Sequence, residues 1–360
     1  MYFKIRGGER AIAASQNLLA VKRRGDPAVP ELAIEQIMEQ MALAVDRVMM
    51  EGALYDRTLA AVAIKQAQGD LVEACFLVRA ARATLERFGV SEPVNPARMT
   101  VRRRISTTHK DVPGGQILGP TYDYTHRLVD FGLHSTTNSM EELEEAAVPG
   151  DASEALSRDL ASLTEAELIE VEAGPVDEEL ASDERGASLQ ALARGDEGFL
   201  LGLAYSSMRG HGDTEPLAGE IRFGELVVEM RIPELGITVG IGEISVTECQ
   251  TLHPFMGSEQ KAPQFSRGYG LVFGQSERKA ISMAVIDRAL RAEEFGEEEK
   301  HPIQDREFVV SHADNVKASG FVQVLKLPHY VHFQGRLQLL RELRSDFETK
   351  HCKAGKREKS

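Results

Sequence analysis

Residues 141–184 hold sixteen acidic side chains and a single basic one, Arg158. A run charged in this way stays in water, so the core has to be assembled from the chain on either side of it. The net charge of −14 is therefore local, and the rest of the chain is close to neutral. The absence of an overall basic surplus argues against extended nucleic-acid binding. Residues 135–185 are expected to form an acidic variable insertion, peripheral to the fold, with weak helical periodicity around 152–169.

The flanking parts differ in period. Residues 9–21 are alanine-rich and read as a helix that Gly25-Asp26-Pro27 breaks. A helix over 31–50 carries Leu32, Ile37, Met41, Val45 and Val48 on one stripe. Asp56 caps a third helix to Ala67, and Gly69-Asp70 opens a fourth that reaches Phe88. Proline and glycine then punctuate 91–134, where 121–133 starts another helix. Residues 187–209 are helical with an interruption at Gly195-Asp196. From Glu220 the pattern turns strand-like: 225–231 and 237–247 are rich in Val and Ile, and Pro233–Gly236 links them as an antiparallel pair. A helix from Glu277, short strands at 307–312 and 320–327, and a terminal helix over 333–348 complete the reading. The class is α+β, a helical N-terminal domain followed by a mixed antiparallel-sheet and helix C-terminal domain. The expected segments are 1–90 (helical), 91–134 (loop-rich, with a ligand site), 135–185 (acidic insertion), 186–349 (mixed α+β) and 350–360 (polar tail).

Three cysteines stand apart, at 75, 249 and 352, so neither a disulfide framework nor a thiolate cluster is supported. No apolar stretch approaches the roughly 18 residues that a membrane span needs. The first eight residues lack an apolar signal core. A cytoplasmic protein with no membrane partner is expected.

Four groups of residues could carry chemistry. The glycines of Arg267-Gly268-Tyr269-Gly270, ahead of a helix at Glu277, let backbone amides approach an oxyanion, with Arg267, Arg278 and Lys279 adding charge. The other reading is a tight turn with Ser276 as the helix cap. Arg102-Arg103-Arg104 on an extended segment alternate faces, so one or two can point into a cleft while another stays in solvent; the reading favoured over this is a solvated basic loop or partner surface. Tyr122-Asp123-Tyr124-Thr125-His126-Arg127 can stack a base, donate a proton or hold a phosphate, or else form a capped helix with one tyrosine in the core. His329-x-x-His332, with His312-Ala313-Asp314 nearby, offers imidazoles and a carboxylate for a divalent metal, or serves structure alone. No G-x-S-x-G elbow, H-E-x-x-H or cysteine cluster is found, which leaves the common hydrolase, zincin and iron–sulfur readings unsupported.

Several longer stretches together resemble the PhnI family, a subunit of the carbon–phosphorus lyase core complex. They include Gly7-Gly8-Glu9-Arg10-Ala11-Ile12, Asp46-Arg47-Val48-Met49 with Glu51-Gly52, Asp111-Val112-Pro113-Gly114-Gly115-Gln116 and Leu118–Leu128. Arg194-Gly195-Asp196-Glu197-Gly198, Ala218-Gly219-Glu220-Ile221-Arg222, Arg267–Ala280, His312–Val316 and Leu325–Val331 complete the set. The resemblance spans nearly the whole chain outside the acidic segment and the tail.

This resemblance implies a subunit that works with subunits G, H and L to attach methylphosphonate to C1′ of ATP with release of adenine, in phosphonate catabolism. Subunits J and K complete the expected partners. It implies nucleosidase activity on ATP or GTP when the subunit is alone, and Mg²⁺ with the nucleotide. The roles expected within it are Asp111 or Asp123 as the carboxylate facing the ribose and His126 as general acid. Arg103, Arg267, Gly268, Gly270 and Lys279 are expected at phosphate. It further implies Zn²⁺ at the interface with subunit J, with His329 as one ligand. The second ligand falls on Val324, so His312 or His332 would replace it. The other role it allows is a scaffold subunit with the active site shared between subunits.

Overall fold

The computed structural model describes residues 8–108, 115–134, 183–210, 216–259, 261–326 and 330–357. The chain divides into two compact units, Ala28–Asn315 and Met1–Pro27 with Val316–Ser360.

The larger unit begins with four short helices: α2 (Ile34–Gln40), α3 (Ala42–Gly52), α4 (Arg57–Gln66) and α5 (Leu71–Arg82). Asp56 and Asp70 cap α4 and α5, accepting hydrogen bonds from the amides of Leu59 and Val72 at 2.8 and 3.0 Å. The single helix expected over 31–50 is two, because the Arg57 guanidinium takes the Met38 carbonyl at 2.8 Å, the acceptor that a continuous helix gives to Ala42. The fourth helix ends at Arg82, short of the expected Phe88, and Phe88 is exposed.

The sheet is fully antiparallel, in the order β1 (Thr100–Ser106), β2 (Leu217–Ile232), β3 (Ile237–Phe255), β4 (Gln264–Phe273). The β2–β3 hairpin turns where Pro233–Gly236 predicted. Helices α6 (Asp183–Ala193) and α7 (Glu197–Gly210) flank the expected break at Gly195-Asp196. Helix α8 (Glu277–Ala289) lies against β4 and β3, with Ala280, Met283, Ala284 and Ile286 meeting Cys249 and Val272 in the main core.

Strand β4 corrects the reading of a glycine-rich turn. Gly268 and Gly270 lie inside the strand, paired with Thr251 and Cys249 of β3. A Cβ on either would overlap a backbone carbonyl of α8, Ala284 for Gly268 and Ala280 for Gly270. The glycines bring helix to strand and do not open a loop toward an anion. Two expected strands are helices, α9 (Arg306–His312) and α10 (Asn315–Lys326). Asp305 caps α9 through the Phe308 amide at 3.0 Å, and Val309 and Ala313 share the buried face at helical spacing. Residues 121–133 are not a helix: the chain turns at Tyr122–Thr125, Arg127 takes a φ of 52°, and only Phe131–His134 forms a short 3-10 turn.

The smaller unit comprises α1 (Gly8–Arg24), α10 and α11 (Tyr330–Arg357). Most of the acidic segment, 135–182, and the end of the tail, 358–360, lie outside the described residues.

Candidate functional site

The three consecutive arginines occupy β1, where a bulge lies between Val101 and Arg103. Each meets its own carboxylate. Arg102 reaches Glu225 at 2.6 Å in solvent, and Arg104 reaches Glu220 at 2.6 Å. Arg103 is 1% exposed, and its guanidinium is saturated by Glu277 of α8, the Leu118 carbonyl and Asp123 Oδ2, the last at 2.5 Å. A buried guanidinium needs this many acceptors. Arg103 thereby ties β1, the segment 115–134 and the first turn of α8 together.

The outcome is an accessible carboxylate in a fixed place. Asp123 remains 44% exposed although one oxygen is held by Arg103. Its amide donates to Thr121 Oγ1 at 3.1 Å, and Arg127 stands 3.4 Å from its other oxygen. His126, Tyr122 and Tyr124 are exposed on the same turn. Among the expected site residues, Arg103, Asp123 and His126 thus share one locality. Asp111 and His329 lie outside the described residues. Glu277 was not expected; its only signal in sequence was an acidic residue opening a helix after Ser276.

Lys279 belongs to a second cluster, sealed from solvent. Glu51 of α3 accepts from Arg47 Nε at 2.9 Å and from the Glu197 amide at 3.1 Å. Asp196 accepts from Arg47 at 3.0 Å and from Asn315 at 2.8 Å. Glu197 accepts from Ser276 Oγ at 2.9 Å. Burial pushes the Lys279 ammonium down to about 8, against the opposing pull of Glu51 and Glu197. Its Nζ makes no hydrogen bond to protein. Burial likewise raises the Asp46 carboxyl, against the Gln275 amide and Arg57. This network bolts α3, α7 and α8 together, and Lys279, buried within it, presents no surface to a phosphate.

Arg267 is half-buried on β4, and its carbonyl accepts from Arg291 at 3.2 Å. His312 is exposed at the end of α9, with Nδ1 donating to the Phe308 carbonyl at 2.7 Å and its ring stacked on Phe308. That leaves Nε2 for a metal. Among the described residues, however, no three His, Cys, Asp or Glu side chains gather as a metal centre.

Fold and clusters describe an α+β protein in which an antiparallel sheet and three helix ends gather buried ion pairs, and in which the Asp123 carboxylate, held by buried Arg103, stays in reach of solvent. The family model for bacterial phosphonate metabolism protein (PhnI) matches residues 1–347. The chain is 54% identical over 358 residues to the alpha-D-ribose 1-methylphosphonate 5-triphosphate synthase subunit PhnI of Rhizobium meliloti, covering 97% of this chain and 96% of that protein. It is 50% identical over 356 residues to the subunit of the same name from Escherichia coli, covering 96% and 99%. The chain belongs to the PhnI family.

Proposed function

We propose that the chain is a catalytic subunit of alpha-D-ribose 1-methylphosphonate 5-triphosphate synthase, acting in carbon–phosphorus lyase phosphonate catabolism in the cytoplasm. The near full-length identity to two subunits of that name supports the assignment. In the reaction a phosphonate oxygen bonds to C1′ of ATP, the C1′–N9 bond breaks, and adenine leaves with a proton. With water in place of phosphonate, the same chemistry is nucleosidase activity on ATP or GTP.

The single observation carrying the mechanism is the Asp123 carboxylate, fixed by buried Arg103 yet open to solvent. Cleavage of an N-glycosidic bond builds positive charge on the ribose, and a preorganised carboxylate stabilises it. His126, three residues on, protonates the leaving purine. Arg103 and Glu277 position Asp123. Arg267 pairs with no carboxylate among the described residues and keeps the expected role at phosphate. Mg²⁺ bound with the nucleotide would neutralise triphosphate charge. Subunits G, H, J, K and L are the proposed partners. No step uses zinc.

The test is incubation of the purified chain with Mg·ATP or Mg·GTP, followed by chromatography for free purine. Base release that Asp123→Asn abolishes is the expected result. Base release that appears only after partner subunits are added would favour the scaffold reading, with the site shared across an interface.

A further inference from the structure

Two guanidinium groups meet Asp123, and they meet it differently. Arg103 holds Oδ2 from a buried position, and all three of its nitrogens are engaged, by Asp123, Glu277 and the Leu118 carbonyl. Arg127 stands at the other oxygen. Its Nη2 lies 3.4 Å from Oδ1, and its side chain is 65% exposed. An ion pair that long and that wet contributes little, so Arg127 parts from Asp123 at small cost.

The backbone delivers Arg127 to this position by an uncommon route. Thr125 closes a turn onto the Tyr122 carbonyl, with its amide at 3.1 Å and its hydroxyl at 2.8 Å. Arg127 then takes a φ of 52°, a region crowded for any residue with a Cβ. Among the described residues Ala53 and Gln68 are the other non-glycine cases. Both follow helices: Ala53 is the C-cap of α3, and Gln68 comes directly after the C-cap of α4. No helix ends at Arg127. The left-handed turn there folds the chain back, so that residue 127 reaches residue 123 outside any helix. Backbone held in this way is characteristic of functional turns.

The chemistry proposed at Asp123 needs a group of this kind. Two nucleophiles compete for C1′, the phosphonate and water. The phosphonate is an anion and has to approach beside an anionic carboxylate, whereas water meets no such repulsion. Transfer in preference to hydrolysis therefore calls for a cation next to Asp123 that can turn to the acceptor. Arg103 is sealed from solvent, and His126 is assigned to the leaving purine. Arg127 faces solvent at the outer oxygen, and its forked donors match two phosphonate oxygens.

We propose that Arg127 seats the phosphonate and so determines that phosphonate, not water, attacks the ribose. The inference rests on the reading of Asp123 as the carboxylate facing the ribose. Arg127 leaves Oδ1 for the incoming phosphonate. A phosphonate oxygen bonds to C1′, the C1′–N9 bond breaks, and adenine departs with the proton from His126. When water attacks instead, its proton passes to solvent and the product is ribose 5-triphosphate.

The test uses the assembled complex with Mg·ATP and varied methylphosphonate, with both ribose products separated by anion-exchange chromatography. Arg127→Gly removes the guanidinium and suits a left-handed backbone, so the turn is kept. It should raise the KM for methylphosphonate about tenfold, the loss of one charge-assisted contact, and leave the KM for Mg·ATP within about twofold. The product should shift from the phosphonate ester toward ribose 5-triphosphate. Arg127→Lys keeps the charge without the fork and should fall between the two. A wild-type KM for methylphosphonate with an unchanged product ratio in Arg127→Gly overturns the proposal. So does an equal rise in both KM values, which would make Arg127 a general support of the turn. Adenine release that survives in Asp123→Asn would remove the catalytic reading itself. An inactive Asp123→Asn beside a wild-type acceptor KM in Arg127→Gly would remove the Arg127 assignment alone.

Discussion

A guanidinium sealed from water must find its acceptors inside the protein, and Arg103 finds three. That arrangement carries the account at the scale of single residues. Asp123→Asn keeps the shape but loses the charge, and base release should fall about a hundredfold or more, read by chromatography. Arg103→Met should lower both activity and stability, because Glu277 and Asp123 lose their shared cation. Burial lowers the Lys279 ammonium and its Nζ makes no hydrogen bond, so Lys279→Met should leave stability in urea unfolding unchanged or raise it by about 1–4 kcal/mol. His253 supplies a pH dependence. Burial lowers its imidazole from 6.5 to about 4, Arg288 adds to the effect, and Glu297 opposes it. Between those values the unfolded chain holds the proton and the native chain does not. Stability therefore falls as pH drops from 6.5 toward 4. His253→Gln should flatten that part of the profile by on the order of 3 kcal/mol, the product of the shift and 1.36 kcal/mol per pH unit. The sequence marked Arg103 on an extended segment and Asp123 and His126 in one cluster of polar and aromatic residues. It could not mark Glu277, which lies 174 positions from Arg103 and meets it only through the fold.

At the scale of elements, local signals decided what was legible. The caps Asp56 and Asp70 and the turn Pro233–Gly236 act within a few residues, and the elements they predict are present. Short apolar runs misled where the contrast between strand and helix is made by tertiary packing. Residues 307–312 and 320–327 read as strands and fold as helices. The glycines of β4 misled in the other direction. Their spacing suggested an anion-binding turn, whereas period-two spacing in a strand puts Gly268 and Gly270 on the single face that α8 covers. Gly268→Ala or Gly270→Ala should push α8 off the sheet and cost about 3 kcal/mol, seen as a lower Tm. If either variant unfolded like wild type, that close approach would not be essential.

For the whole molecule, four of the dispersed stretches that carry the family resemblance converge. Asp46–Gly52, Arg194–Gly198, Gly274–Lys279 and Asp314–Asn315 meet around Glu51, Asp196 and Lys279, within the larger unit. Much of what made the sequence recognisable is thus a buried network that holds three helices in place. The Asp123 turn lies outside that network and is exposed. No described helix is long and apolar enough to cross a membrane. The central claim is that glycosidic chemistry depends on Asp123 of this chain. It is tested most directly in the assembled complex supplied with Mg·ATP and methylphosphonate, by comparing adenine release from wild type and Asp123→Asn. Loss of methylphosphonate-dependent release, with assembly intact, is the predicted result. Release at the wild-type rate would contradict the account and place the reacting carboxylate elsewhere.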